Sequence, residues 1–299
     1  MPDVPLSLVW LHRPGDDVPA PTAVDVLPVA LGAVPLRSDR ATAIEAVRSL
    51  IGARWLVGGS DAAADVVAAL EEEVLSGRAP AFGFAGTCGA GDLDALAARV
   101  AGSPAVPASW ARLIASDRVD VEVRALLARR ALPDDPEYTA QTVDAADLAL
   151  LRELADVLVP QEGAAIDLAA RVDAQYAAGE GDGWRFAELP PDPEALASGL
   201  ATLRAVWPAE TEARHALIEQ VVAGEAETSG AFDAGRLAAW LEDVRVDLVR
   251  QWLAHPASMA RIGYDGFATG GVVLPLRGFD SPASRREAWE PDDVATVPA

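Results

Sequence analysis

The hydrophobic pattern of this chain changes character about a third of the way along, and that change limits the folds open to it. In the first hundred residues, short apolar runs alternate with helical spacings. Leu6–Leu11, Val24–Leu31, Trp55–Val57 and Ala81–Ala85 are bounded by Gly or Pro and read as strands. Between them, Thr42–Leu50, Asp61–Leu75 and Asp92–Val100 have helical spacing, as in Val66, Leu70 and Val74. Such alternation predicts a small α/β layer with a partly parallel sheet. Ser103, Pro104, Pro107 and Ser109 then read as a linker, and beyond it the strand signals stop.

The remaining two-thirds of the chain has the 3.6-residue period. Asp144 is an N-cap with Asp147 at the third helical position, and Leu151, Leu154, Ala155 and Leu158 make the apolar stripe behind it. Pro160 ends that helix. Asp167 caps the next, with Val172 and Tyr176 facing inward and Gly179 at its close. Asp192 followed by Pro193 starts another, since Pro in a first turn loses no hydrogen bond. The longest periodic stretch runs from about Asp233 to Leu253 and stops at Pro256. From Gly263 onward the chain is rich in Gly, Pro and aromatics and has no helical period. The expected architecture is a mainly α-helical carboxyl-terminal domain, residues 110–299 with an irregular tail, preceded by a small α/β domain of residues 1–109.

Charge narrows the partners. The 46 acidic residues outweigh 24 basic ones, all of them Arg, for a net charge of −22. A surface that acidic repels phosphate backbones and anionic lipid, so neither nucleic acid nor a membrane surface is expected. No apolar stretch approaches the roughly 18 residues that a spanning helix needs. Met1–Trp10 has no basic run and no twin arginine, which points to the cytoplasm. With Cys88 as the single cysteine, neither an intrachain disulfide nor a thiolate metal cluster is available.

Catalytic parts are scarce. His12, His215 and His255 stand in three separate contexts and make no metal-binding spacing. His255 falls at the end of a long helix, where a partly charged imidazole suits the negative carbonyl end. Gly58, Gly59 and Ser60 precede one helix, and Gly86 to Gly91, with Cys88 among them, precede another. Such turns need glycine for backbone reasons, although a helix amino terminus can also attract an anion or lower a thiol pKa. Neither turn carries the Walker lysine or the dinucleotide fingerprint.

Four segments have a familiar order and spacing: Leu154–Pro160 (LADVLVP), Asp167–Asp173 (DLAARVD), Gly179–Phe186 (GEGDGWRF) and His255–Phe267 (HPASMARIGYDGF). The fourth is followed by Gly270, Gly271, Gly278, Phe279 and Glu287–Pro291. Across residues 117–291 the chain resembles the gluconate 2-dehydrogenase subunit 3 family. Members of that family are small, helical, non-catalytic subunits that accompany a large flavin subunit of the glucose-methanol-choline (GMC) type. The resemblance therefore implies no cofactor in this chain, FAD in the partner, and a role in stabilising or maturing a sugar or alcohol oxidoreductase. Unlike many relatives, this chain has no twin-arginine start, and no cysteine lies in the matched region. Aromatics are favoured interface anchors, which nominates Trp184, Trp252, Tyr264, Phe267, Phe279 and Trp289, with His255 beside them, as partner-binding residues. The alternative is a small-ligand or enzymatic α/β domain using the turns near Gly58 and Cys88.

Overall fold

Of the first three apolar runs, two become strands covered on both sides of one sheet, and the other becomes a largely exposed edge strand. β1 (Leu6–His12), β2 (Asp25–Ala30) and β3 (Arg54–Gly59) pair in parallel in the order β2-β1-β3, with Val9 beside Leu27 on one side and Val57 on the other. Alternate residues serve opposite faces. Val9, Leu11, Trp55 and Val57 join a core with α1 (Arg37–Ser49) and α2 (Ala64–Leu75), which supply Ala43, Val47, Val67 and Leu70. Leu8, Trp10 and Leu56 meet Leu93, Ala97 and Val100 of α3 (Leu93–Gly102) on the other face. A strand buried on both sides reads as an unbroken apolar run, as β1 does. The computed structural model describes residues 6–20, 24–50, 54–79, 92–181, 183, 185–268 and 285–291. The strand expected at Ala81–Ala85 and the Cys88 turn lie outside them.

Contacts divide the chain into residues 1–133 with 254–299, and residues 134–253. The division expected at residue 109 therefore falls inside the first unit. Helix α4 (Ala108–Ile114) begins within the expected linker and buries Trp110, Leu113 and Ile114 in the core that holds Val9 and Trp55. Helix α5 (Val121–Arg130) adds Leu127 and Ala128. From the far end of the sequence, α11 (Pro256–Arg261) adds Met259 and Ala260. The prolines misled because Pro107 is the N-cap of α4 and not a domain break. A proline just before a helix ends one element while permitting the next.

The second unit is helical: α6 (Ala145–Leu158), α7 (Leu168–Ala177), α8 (Asp192–Arg204), α9 (Thr211–Ala223) and α10 (Ala234–Ala254). Its caps are the expected ones. Asp144 accepts from the Asp147 N–H at 2.7 Å, Asp167 accepts from the Ala170 N–H at 3.1 Å, and Gly179 closes α7 with φ +68°. Leu151 and Leu154, Val172 and Tyr176, Leu196 and Leu200, and Trp240, Val244 and Leu248 fill one core. Each such side chain contributes about 1.5–3 kcal/mol on leaving water. Helix α9 has no clear signal in the sequence because it buries only Leu217, Ile218 and Val221, while Val222 is 69% exposed. Among the described residues no helix is long and apolar enough to cross a membrane.

Candidate functional site

In parallel α/β layers, ligands bind beyond the carboxyl ends of the strands. Here that edge is occupied by the protein's own side chains. Arg13 follows β1 and is buried, donating from Nε to the Ala62 carbonyl at 2.7 Å and from Nη1 to the Gly32 carbonyl and to Asp39 at 3.0 Å. One guanidinium thus ties the end of β1 to the segments that follow β2 and β3. Its Nη2 faces Asp65 at 3.7 Å, beyond hydrogen-bond reach.

Two carboxylates stand where an anionic ligand would sit. Asp39, in the first turn of α1, accepts from the N–H groups of Gly32 at 3.0 Å and Leu36 at 3.2 Å, besides Arg13. The Gly32 N–H and then Arg13 hold its carboxyl below the ordinary value. Asp16 accepts from the Ser60 hydroxyl and from the Arg13 N–H at 2.8 Å, and both contacts lower its pKa in that order. The glycines that end β3, expected from the sequence as a turn, are spoken for as well. A Cβ on Gly58 would lie 3.0 Å from the Trp10 ring, and one on Gly59 would strike Val67 at 2.7 Å. Packing accounts for both.

The segment from His255 to Phe267 is built differently. His255 is 1% exposed and accepts from the Ala257 N–H through Nδ1 at 3.1 Å, so it caps the start of α11. The sequence places it at the carbonyl end of α10, whereas its Nδ1 contact is with the amino terminus of the helix that follows. Phe267 is buried, its ring 6.0 Å from Trp110 and 6.4 Å from Tyr264. Tyr264 remains 51% exposed and Ile262 47%. Trp289 is half-buried against the same core and lies under the Arg118 guanidinium, 4.3 Å from its ring centroid. Trp252 packs on the helical core of the second unit instead. Trp184 and Phe279 fall outside the described residues.

Of the nominated residues, Phe267 and Trp289 are thus brought to one core, Tyr264 lies exposed beside Phe267, and Trp252 belongs to the other core. The sequence reading missed Trp110, Arg112 and Arg118. The spacing Trp110, Leu113, Ile114 is a helical signal that the neighbouring prolines hid. Between the α4–α5 corner and residues 288–291 lies a cleft of about 370 Å³, lined by Arg112, Leu113, Arg118 and Trp289 among others. Among the described residues no group of three His, Cys, Asp or Glu side chains is placed to hold a metal ion. Comparison with family models, curated proteins and solved structures finds no match to this chain.

Proposed function

We propose that this chain is a non-catalytic subunit that binds and stabilises a flavin-dependent sugar or alcohol oxidoreductase of the GMC type. The order of motifs across residues 117–291, similar to the gluconate 2-dehydrogenase subunit 3 family, is the starting point. The observation that carries the reading is how the His255–Phe267 motif is divided. His255, Met259 and Phe267 are buried and fix its path, while Ile262 and Tyr264 stay exposed. A rigidly anchored turn presenting apolar side chains outward is suited to a partner, because little conformational freedom remains to be lost on binding. The buried polar groups support the same reading. Arg13, Asp39 and His255 each hold elements of this fold together.

The test is affinity purification of the full chain from its native cell. A large subunit carrying stoichiometric flavin is the expected companion, and Tyr264→Ala should lower its recovery about tenfold or more, as loss of an aromatic anchor does. That variant should keep the melting temperature, because Tyr264 is half in solvent. Phe267→Ala should instead lower the melting temperature. Recovery of the chain without a flavoprotein, or flavin bound to this chain alone, would overturn the proposal.

A further inference from the structure

The cleft beside Trp289 holds an arrangement that folding alone does not explain. Arg112 is exposed and Arg118 half-buried, and both line it. Among the described residues neither has a carboxylate within ion-pair distance, and Arg118 is engaged through Trp289. The chain has 46 acidic residues for 24 arginines, and Arg78, Arg152 and Arg171 all reach a carboxylate. Two guanidinium groups thus face one cleft with no ion pair of their own among the described residues. Together they offset the two carboxylates, Asp117 and Glu290, that share the lining.

Each feature of the cleft favours one ligand chemistry. A guanidinium offers a planar fork of donors that matches a carboxylate in two places. Stacking on Trp289 holds the Arg118 head in position, which reduces what binding must immobilise. Leu113, Ala288 and Pro291 line the rest of the wall with apolar surface. Asp117 and Glu290 also line it, and they work against a densely charged ligand. Glu290 is answered from its own segment, by the Glu287 N–H at 3.0 Å and by Arg286 at 3.4 Å. The volume, about 370 Å³, is at the small end of the range for small-molecule sites. We propose that this cleft binds a small organic acid bearing one or two carboxylates on a short carbon skeleton.

The experiment is calorimetric titration of the full chain with succinate and with glutarate, beside neutral succinamide and inorganic phosphate. Saturable one-to-one binding of a dicarboxylate is expected, with no binding of succinamide and weaker binding of phosphate. Arg112→Gln, which removes no hydrogen bond or ion pair among the described residues, and Arg118→Gln should each weaken dicarboxylate binding about tenfold or more, as loss of a charge-assisted fork does. Arg129→Gln and Arg236→Gln, exposed arginines away from the cleft, should leave it unchanged. The proposal is overturned if neither dicarboxylate saturates, if phosphate binds as tightly as the dicarboxylates, or if the distant arginines matter equally.

Discussion

Gly199 occupies the interior of α8, where alanine would ordinarily be preferred by about 1 kcal/mol. A Cβ there would lie 2.2 Å from the ring of Trp240, a side chain that is itself 2% exposed and has no room to retreat. Overpacking of this kind costs about 1–3 kcal/mol or more, so it outweighs the helix preference. Gly199→Ala should therefore lower stability in a urea titration, and a stabilised variant would show that Trp240 can move. Asp173 is the second residue whose surroundings decide its role. It is fully buried and accepts from the Tyr138 hydroxyl at 2.7 Å, the Gln141 N–H at 2.7 Å, the Thr142 N–H at 3.0 Å and the Thr142 hydroxyl. Burial alone would raise its pKa, but these donors together outweigh burial and hold it below the ordinary value. A carboxyl lowered in the folded state contributes stability above its unfolded pKa and loses that contribution as pH falls through the folded one. Asp173→Asn should cost roughly 2 kcal/mol at neutral pH, the worth of hydrogen bonds to a charge. The deficit relative to the parent should shrink below about pH 4, where the carboxyl of the unfolded parent begins to protonate, the folded one following at lower pH. Unfolding curves at both pH values check the sign.

At the scale of elements, the junction of α10 and α11 shows how one short segment serves two helices. Pro256 cannot continue α10 and takes the first position of α11, where its missing N–H is no loss. His255, immediately before it, supplies the acceptor that the new amino terminus needs. His255→Ala should cost about 1 kcal/mol or more, the usual worth of an N-cap. His255→Asn should recover part of it, since a side-chain amide oxygen can accept the same bond. Thermal melts of the two variants test this. Equal losses would assign the effect to lost packing at a site 1% exposed and not to the cap.

For the whole molecule, the two units differ in how their sequence is assembled. Residues 134–253 form a continuous stretch with its own core, whereas the first unit draws on both ends of the chain. A fragment of residues 134–253 should fold by itself, with a cooperative helical melt by circular dichroism. A cut at residue 109 should do worse. It would strip the sheet from Trp110, Ile114, Leu127 and Met259 and leave that apolar surface in water. A fragment of residues 110–299 as stable as the intact chain would contradict this division.

Local information was sufficient for the elements whose signals are local. Strands β1 and β3 declare themselves by unbroken apolar runs, and the caps at Asp144 and Asp167 by a short polar side chain ahead of a 3.6-residue stripe. Tyr264, Phe267 and Trp289 stand out in the sequence only as aromatics in or beside the motifs that carry the family resemblance. What the sequence left open was set by contacts between distant residues. The same class of side chain became core at Phe267 and surface at Tyr264, three residues away, because only one of them meets Trp110. Arg112 and Arg118 look like any other arginines until α4, α5 and residues 288–291 enclose a cleft around them. The domain division went the same way, since it depends on helices 108–130 and 256–261 sharing a core with the sheet. Hydrophobic periodicity reports which face of an element is buried, and it carries no record of the element that buries it.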